Sequence, residues 1–389
     1  MKKYKILYVH HGGNKGGAPR SLAFLIEKLD KEKYEPYVVC HHDFELNKAL
    51  YESVGAKVIR GKNIGGWYGS TVSPVTKEIF LYNLKHIIPT YIGIRKIVKK
   101  IKPDIIHLNS TCLCFAAKSI RRKFPKIPII CHVREPLLDG FWGKILRNNC
   151  NKYVDHYVAI EQFDAESLRT NLPTDVIYNF VNFSSYNDNV RSTCLRDELT
   201  ITHDEKIFLY LARVCPENGA KELAEHMQSL LRRRPDLHLC IVGANLEDQS
   251  DYFNDVKKLA ETNKNIHLLG FRSDVPDVIA SSDVMLVPFQ TPHFARSVIE
   301  AAAIGKPSIA SNIGGVNELI INEKTGFLFD YKSFDGFNDL CERLVDDNEL
   351  YKTMSRNAVI HAKSNFSAEI NASRTIKIYD EYLSKRVGM

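Results

Sequence analysis

The sequence predicts an α/β protein built from two doubly wound parallel sheets. Short β-branched runs alternate with amphipathic runs along nearly the whole chain, and this alternation is typical of parallel strands with helices on both faces of the sheet. The runs LHLCIVG at 237–243 and DVMLVPF at 283–289 are almost entirely apolar, which predicts strands buried on both sides. A chain of 389 residues is long enough for two such domains.

The predicted strands fall in two series. Those of the first half are Lys5–Val9, Tyr37–Cys40, Lys57–Ile59, Asp104–Leu108, Ile129–Val133, His156–Ile160 and Val176–Tyr178. The helical segments between them include Ser21–Leu29, Lys77–Lys100 and Thr111–Lys123. The strands of the second half are Ile207–Leu211, Leu237–Val242, Ile266–Leu269, Val284–Val287, Ser308–Ala310 and Gly326–Phe329. Because strands and helices alternate in both halves, each half is expected to form its own sheet.

A polar, turn-rich stretch predicts the boundary between the halves. Asn182–Asn189, NFSSYNDN, has the composition of a linker. We therefore expect an N-terminal domain at 1–185 and a C-terminal domain at 186–367. The amphipathic run Ala368–Leu383 follows a break, and the terminal segment 368–389 is expected to cross back onto the first domain.

Composition excludes several classes of protein. Apolar residues make up 44% and charged residues 25% of the chain, which is globular usage and argues against disorder or coiled coil. No apolar run is long enough to span a bilayer, and the short apolar run after the N-terminal lysines does not resemble a secretory signal. Nine cysteines without a CxxC pair predict reduced core thiols in a cytoplasmic protein.

Charge is distributed unevenly along the chain. Residues 1–185 hold 29 Lys and Arg against 16 Asp and Glu, whereas the remainder holds 24 against 30. A basic half suggests an anionic partner such as nucleic acid, an anionic membrane surface or a phosphorylated acceptor. The alternative is a solvated lysine-rich surface without a partner. The basic stretches lack interleaved aromatic residues, which argues against nucleic acid.

A glycine-rich loop follows the first predicted strand. The segment His10–Ser21, HHGGNKGGAPRS, contains four glycines and a proline near the start of the next helix. Glycines allow the backbone to approach a ligand, and the free N–H groups of a helix N-terminus favour an anion. The pattern is not GxGxxG, so it does not favour a dinucleotide. The alternative is a flexible turn without a ligand.

Two single residues also follow strands. His132, in the segment CHVREP, is placed to hydrogen-bond a ligand hydroxyl, although such a histidine is often purely structural. Arg213 suits bidentate pairing with a phosphate. The alternative for Arg213 is a salt bridge with Glu217 at the rim.

The longest candidate segment, Val287–Pro307, runs from a strand through a loop into a helix. The helix N-terminus near Arg296 and Ser297 could bind a phosphate, and Glu300 could accept two ribose hydroxyl hydrogen bonds. Ser297-x-x-Glu300 is also a capping box, which needs no ligand. Local chemistry leaves both interpretations open. The segment 312–318, NIGGVNE, repeats the strand, glycine turn and helix pattern.

The order of these pieces resembles a retaining glycosyltransferase of family 4. Residues 200–330 carry most of the resemblance, through ARV, IVG, LGFRSDVPDVIASSDVMLVPF, IEAAAIGKPSIAS, IGGVNELI and TGFLF. The first half adds GGAPRSL, HVRE, VAIEQF and VIYNFVNF. The resemblance implies the GT-B fold, in which two Rossmann-like domains face a central cleft. It also implies a nucleotide-sugar donor on the second domain and an acceptor on the first.

The resemblance assigns roles to individual residues. It implies that His132 lies near the donor sugar, that Arg213 binds the diphosphate and that Glu300 binds the ribose. The loop whose amides face phosphate and sugar corresponds to Phe294, Ala295, Arg296 and Ser297. The strand end near the base corresponds to Gly270, Phe271 and Arg272, and the glycine loop near the reaction centre to Gly12, Gly13, Gly16 and Gly17.

Two positions depart from the family pattern. Pro292 stands where the first glutamate of the E-x7-E motif is expected, and Asn218 stands where a lysine is expected. Ala295 also replaces a usual glycine. We expect Arg296, assisted by Lys221, to supply part of the positive charge at the diphosphate. The alternative is that Arg296 points to solvent or pairs with a neighbouring acid and that the site is partly inactive.

The predicted function is therefore a glycosyltransferase (EC 2.4) that moves a sugar from a nucleotide sugar to a glycan or lipid-linked acceptor. It would act in surface polysaccharide or glycolipid biosynthesis, in the cytoplasm or peripherally at the anionic inner membrane face. UDP and GDP donors both remain open, and no cofactor is expected. The resemblance implies retention, and the absence of Asp-x-Asp predicts metal independence. The alternatives are a nucleotide-binding scaffold subunit without turnover and a nucleotide-sugar epimerase.

Overall fold

The chain forms two compact units in the computed structural model, which describes residues 3–13, 17–62, 64–68, 75–244 and 250–387. One unit comprises Met1–Asn179 together with Ala368–Met389, and the other comprises Phe180–Ser367. The change of unit at Asn179 lies just ahead of the polar stretch 182–189. The predicted α/β class with two parallel sheets is confirmed.

The first unit contains a seven-stranded sheet in which every described pair is parallel. Its strands are β1 (Tyr4–Val9), β2 (Tyr34–Cys40), β3 (Lys57–Arg60), β4 (Ile105–Leu108), β5 (Ile129–Val133), β6 (His156–Ala159) and β7 (Thr174–Val176). They lie in the order β3-β2-β1-β4-β5-β6-β7. The strand order reverses between β1 and β4, and ligands of such sheets bind at the carboxyl ends of strands beside this reversal.

The helices of the first unit are α1 (Gly17–Glu27), α2 (Phe44–Ser53), α3 (Lys77–Ile101), α4 (Cys114–Lys123), α5 (Phe141–Tyr153), α6 (Gln162–Ser167) and α14 (Ala368–Val387). The C-terminal helix α14 packs against α1. Tyr379 and Leu383 of α14 are buried in the same core cluster as Ile6 and Tyr8 of β1. The last helix of the chain therefore completes the core of the first unit.

The second unit contains a six-stranded parallel sheet. Its strands are β8 (Lys206–Leu211), β9 (Leu237–Val242), β10 (Ile266–Gly270), β11 (Val284–Val287), β12 (Ser308–Ser311) and β13 (Gly326–Phe329), in the order β10-β9-β8-β11-β12-β13. Its helices are α7 (Cys194–Leu199), α8 (Ala220–Arg233), α9 (Ser250–Thr262), α10 (Val275–Ser281), α11 (Arg296–Ile304), α12 (Phe337–Asp346) and α13 (Asn348–Asn365). Every residue of β9 and β11 is buried, as their apolar sequences predict.

One predicted strand is shifted. The sequence predicts a strand at Val176–Tyr178, and the structure has β7 at Thr174–Val176. The register of β6 causes the difference, because Tyr157 pairs with Thr174 and the last residue of β6, Ala159, pairs with Val176. Beyond Val176 the neighbouring strand offers no further ladder partner.

The cysteines lie where core thiols are expected. All nine cysteines are free, and all but Cys194 are buried. Within the described ranges, no helix combines the length and apolarity needed to cross a bilayer.

Candidate functional site

Arg213 follows β8 at the carboxyl edge of the second sheet. Its backbone carbonyl accepts hydrogen bonds from Tyr210 Oη at 2.7 Å and from Asn218 Nδ2 at 3.0 Å. The side chain is exposed, and the guanidinium has no ion-pair partner among the described residues. The salt bridge with Glu217 considered above is not formed. The backbone is thus fixed while the charge stays available at the edge of the sheet.

The loop after Arg213 is tied to the loop after β11. The carbonyl of Glu217 accepts hydrogen bonds from the N–H groups of Gln290 and Thr291, at 2.9 and 3.2 Å. Gly219 has φ +72°, and a Cβ there would lie 2.1 Å from the carbonyl oxygen of Pro288. A side chain at position 219 would therefore separate the two loops.

The loop that leads into α11 contains a half-buried imidazole. The His293 ring stacks on Phe289 with centroids 4.2 Å apart, and its Nδ1 lies 2.8 Å from the carbonyl of Thr291. Burial lowers the pKa of His293, and the nearby charge of Arg213 lowers it further. The hydrogen bonds from Gln290 and Thr291 to the carbonyl of Glu217 hold the Arg213 and His293 loops together in this unit.

Helix α11 begins at Arg296, and Ala295 is its N-cap with no side-chain capping bond. Ser297 is therefore inside the helix, and the capping box considered above is not formed. Phe294 is half-buried, whereas Ala295 and Ser297 are buried. An N-cap without a side-chain acceptor leaves the first N–H groups of α11 for another acceptor.

Arg296 and Glu300 form an ion pair along α11. Arg296 Nη2 and Nε donate to Glu300 Oε1 at 3.1 and 3.3 Å, and Nη2 also lies 3.4 Å from the carbonyl of Phe180. The Glu300 side chain is 11% exposed and the Arg296 side chain is 39% exposed. The pair places one cation and one anion of the predicted site side by side.

Three predicted base-site residues follow one another at the end of β10. Gly270 has φ +69° and its carbonyl accepts the N–H of Gly243 at 2.8 Å. Phe271 is exposed. Arg272 is bidentate to Asp274, at 2.9 and 2.7 Å, and also donates to Glu198. The Arg272 guanidinium lowers the pKa of Asp274, so this arginine is engaged within the protein.

Lys221 lies in the first turn of α8. Its Nζ donates to Asp255 Oδ2 of α9 at 2.9 Å, and this pairing raises the pKa of Lys221. Asn218 is 3% exposed, and its Oδ1 has no hydrogen-bond partner among the described residues. Lys221 therefore contacts α9 and takes no part in the hydrogen bonds that fix the carbonyl of Arg213.

In the first unit, a polar network joins the ends of β1, β4 and β5. Asn109 Nδ2 donates to His10 Nδ1 at 3.0 Å. The proton of the neutral His10 ring therefore lies on Nε2, which donates to the carbonyl of Gly13 at 3.3 Å. Asn109 Oδ1 accepts Arg134 Nη2 at 2.7 Å. Burial lowers the pKa of His10 to about 4, so the ring is neutral at pH 7.

The network fixes the start of the glycine loop. A Cβ on Gly13 would lie 2.6 Å from Asp43 Oδ2, whereas one on Gly12 would make only ordinary contacts with His10. Gly17 is the first residue of α1. Gly16 lies outside the described residues.

His132 belongs to a buried chain of three side chains. Its Nδ1 lies 3.2 Å from Nε2 of His107, and His107 Nδ1 lies 2.6 Å from the hydroxyl of Tyr379. Burial lowers the pKa of His107 to about 3 and lowers that of His132 as well. Two neutral rings that share a hydrogen bond have coupled tautomers, so Tyr379 of α14 influences which nitrogen of His132 carries the proton.

A pocket of about 160 Å³ opens beside the glycine loop in the first unit. Its lining includes His11, Trp67, Tyr68, Ser110 and Glu135. The His11 Nδ1 and Trp67 Nε1 atoms are buried without a hydrogen-bond partner among the described residues. Aromatic rings, a carboxylate and unused polar atoms are groups that bind a sugar through its faces and hydroxyls.

Sequence reasoning missed several residues of this site. Arg134 and Asn109 each follow a strand, and this position is the only local signal in the sequence that indicates a role for them. His107 and Tyr379 are 272 residues apart, and only the placement of α14 brings them together. Among the described residues, no group of three or more His, Cys, Asp or Glu could hold a metal ion.

Two family models match the two halves of the chain. The family model for glycosyl transferases group 1 matches residues 193–360, and that for glycosyltransferase family 4 matches residues 15–185. An Escherichia coli UDP-Gal:alpha-D-GlcNAc-diphosphoundecaprenol alpha-1,3-galactosyltransferase is 25% identical, over 99% of this chain and 98% of its own length.

Solved structures with the same fold cover nearly the whole chain. HepE from Anabaena, crystallised with UDP, has a TM-score of 0.79 at 19% identity and covers 97% of this chain and 100% of its own. A glycosyltransferase from Rickettsia africae has a TM-score of 0.79 at 21% identity, with 98% and 99% coverage. The two parallel-sheet units, the two family models and these neighbours together show that the chain is a GT-B glycosyltransferase of the family 4 type.

Proposed function

We propose that this enzyme transfers a sugar from a UDP-linked donor to a lipid-linked acceptor in surface polysaccharide or glycolipid biosynthesis. The UDP donor and the diphospholipid acceptor are suggested by the E. coli relative's name and, for UDP, by the HepE complex. The transfer proceeds with retention of anomeric configuration and without a divalent metal ion.

The availability of Arg213 carries the proposal. Its guanidinium is exposed at the carboxyl edge of the sheet, while two hydrogen bonds fix its carbonyl. An arginine fork binds the diphosphate of a nucleotide through two N–H groups. The loop contacts at Glu217 and Gly219 hold the segment leading into α11 next to it.

The start of α11 supplies a second positive group. The helix has no side-chain cap at Ala295, and its first N–H groups and dipole favour a negative ligand. Together, Arg213 and the α11 N-terminus would stabilise the charge that develops on the leaving diphosphate. The absence of Asp-x-Asp from the sequence supports a reaction that uses these groups in place of a metal ion.

Glu300 is proposed to accept ribose hydroxyls, and Phe271 to contact the base. Glu300 is buried beside Arg296, so its carboxylate has a fixed position. Phe271 is an exposed aromatic ring at a strand end, where stacking on a base would cover it. We assign Gly270 and Arg272 to the support of this strand end, and Phe294 with Ser297 to the sugar-facing side.

Retention follows from the family resemblance and agrees with the available carboxylates. A double displacement needs a carboxylate against the anomeric carbon. Glu300 already accepts hydrogen bonds from Arg296, which leaves Glu135 in the first unit as the strand-end alternative. We therefore propose front-face transfer, in which His132 hydrogen-bonds the donor sugar and no covalent sugar–enzyme bond forms.

Release of nucleoside diphosphate tests this function. The purified protein is incubated in EDTA with a panel of UDP- and GDP-sugars, with and without a short-chain diphospholipid-linked N-acetylglucosamine. The proposal predicts acceptor-dependent release of UDP from one UDP-sugar. Activity that is lost in EDTA and restored by manganese would refute metal independence, and binding of nucleotide without any turnover would support a scaffold protein instead.

A further inference from the structure

Helix α3 exposes an apolar stripe. Leu81, Leu84, Ile88 and Ile92 are all exposed, and their spacing of three and four residues places them along one face of the helix. Ile88 is 69% exposed. The other face carries Asn83, Thr90, Ile94 and Val98, which are buried, so the stripe faces away from the core of the first unit.

Aromatic residues extend the stripe toward α5. Phe80 is exposed at the edge of α3, and its ring centroid lies 5.3 Å from that of Trp142. Phe141, the first residue of α5, is 68% exposed and lies 5.2 Å from Trp142. We define the α3 face as Phe80, Leu81, Leu84, Ile88, Ile92 and Phe141. A contiguous apolar patch of this kind marks a site that something else covers.

Lysines surround the α3 face. The helix has a single acidic residue, Glu78, and its exposed basic residues are Lys77, Lys85, Lys96, Lys99 and Lys100. None of the five lysines forms an ion pair with a residue that the structure describes. An apolar stripe flanked by unpaired lysines is complementary to a bilayer surface with anionic headgroups.

We propose that the α3 face docks on an anionic phospholipid surface. The proposal rests on the proposed function, because a lipid-linked acceptor must be met at a bilayer. Since α3 connects β3 to the parallel strand β4, it runs antiparallel to the strands. Its apolar N-terminal half therefore lies toward the carboxyl ends of the strands, the edge that also carries the glycine loop and the pocket.

A second copy of the chain fits this face less well. In a symmetric pair the same patch meets itself, so the five unpaired lysines of one copy would approach those of the other. Like charges across an interface oppose association. A bilayer that contains phosphatidylglycerol or cardiolipin offers an apolar interior and negative headgroups to the same face.

Vesicle sedimentation tests the proposal on the full chain. The protein is mixed with phosphatidylethanolamine vesicles that contain 0 or roughly 30% phosphatidylglycerol or cardiolipin, and the bound fraction is measured. We expect the variant Leu84→Ser with Ile88→Ser to lose about tenfold or more in partitioning. Lys96→Gln with Lys99→Gln should lose about fivefold per lysine on anionic vesicles only.

The chain provides matched controls. Ile360 of α13 is 63% exposed in the second unit, so Ile360→Ser removes a similar exposed aliphatic group away from the α3 face and should bind vesicles normally. Lys264→Gln serves as the corresponding charge control. Melting curves of all variants check that each protein is folded.

Three results would overturn the proposal. The first is unchanged vesicle binding by the Leu84/Ile88 variant. The second is equal binding of the unmodified protein to neutral and anionic vesicles. The third is an unmodified protein that is a dimer in solution and becomes a monomer when Leu84 and Ile88 are replaced. UDP release with a water-soluble acceptor should be the same for the α3 variants and the unmodified protein. Vesicle binding without any nucleotide-sugar turnover would instead refute the proposed function and leave the docking face intact.

Discussion

Arg296 Nη2 donates to Glu300 Oε1 at 3.1 Å, one turn apart on α11. The pair lies at the start of the helix that is proposed to receive the diphosphate. A bound nucleotide would place its ribose hydroxyls against the carboxylate and its phosphates near the guanidinium. We therefore expect Glu300 to bind the ribose and Arg296 the diphosphate of the same nucleotide.

Glu300→Gln should weaken UDP binding while leaving stability nearly unchanged. Loss of a charged hydrogen-bond acceptor is expected to lower affinity by about 10- to 150-fold. Loss of the i,i+4 ion pair with Arg296 costs only about 0.3–0.5 kcal/mol, because the Arg296 side chain is 39% exposed and Gln can still accept its hydrogen bond. Isothermal titration with UDP and a melting curve measure the two effects, with Glu261→Gln on the exposed side of α9 as control. Unchanged affinity with a lower melting temperature would make Glu300 a purely structural residue.

Substitution of the basic residues should weaken the binding of UDP without weakening the binding of uridine. We expect Arg213→Ala to weaken UDP binding by about 10- to 100-fold and leave uridine binding unchanged, because the guanidinium is proposed to bind the diphosphate. Arg296→Ala should have a smaller effect. Lys221→Ala should have the smallest, since its Nζ is already paired with Asp255. Titrations of UDP and uridine give the order, and equal UDP affinity in all three variants would contradict the assignment.

Tyr379→Phe should lower kcat without changing the KM for the donor. The variant removes the hydroxyl that lies 2.6 Å from His107 Nδ1. The His107 tautomer is then no longer fixed by this hydrogen bond, and neither is the tautomer of His132, which is hydrogen-bonded to His107. A loss of about 3- to 10-fold is expected, equivalent to roughly 0.7–1.4 kcal/mol.

Tyr382→Phe provides the control on the same helix, because the Tyr382 hydroxyl donates to the carbonyl of Asp155 at 3.1 Å. Nitrogen chemical shifts of labelled histidines should show an altered His132 tautomer in the Tyr379 variant only. A fall in kcat with an unchanged tautomer would indicate that Tyr379 acts through packing.

The protein should lose stability as the pH falls below 6.5. His10 is buried with a pKa lowered to about 4, whereas an unfolded histidine titrates near 6.5. Between these values the unfolded chain binds the additional proton, so acid favours unfolding by about 1.4 kcal/mol per pH unit for this group. Above pH 6.5 the contribution is constant.

Denaturant unfolding at a series of pH values measures this slope. His10→Gln should reduce the slope by about 1.4 kcal/mol per pH unit between pH 4 and 6.5. His203→Gln, at an exposed position, should leave it unchanged. An identical slope in the unmodified protein and the His10 variant would show that His10 does not contribute to the loss of stability in acid.

The strands could be predicted because each is a short apolar or β-branched run bounded by turn residues. β9 at Leu237–Val242, for example, has the bounds that the sequence predicts. β7 was misplaced because its ends depend on pairing with β6. Local signals locate strands, whereas the limits of an edge strand depend on its neighbour.

The side-chain partners within the site could not be predicted in the same way. Ser297-x-x-Glu300 has the sequence of a capping box, yet α11 begins two residues too early for Ser297 to cap it. Likewise, Lys221 pairs with Asp255, 34 residues away. Such contacts depend on the tertiary packing of α8, α9 and α11, which no local pattern contains.

The most direct test of the account is the anomeric configuration of the product made from a UDP-α-sugar and the lipid-linked acceptor in EDTA. Proton NMR of the isolated product reports the configuration. Acceptor-dependent formation of an α-linked product is the predicted result. A β-linked product, or no product from any nucleotide sugar, would contradict the account.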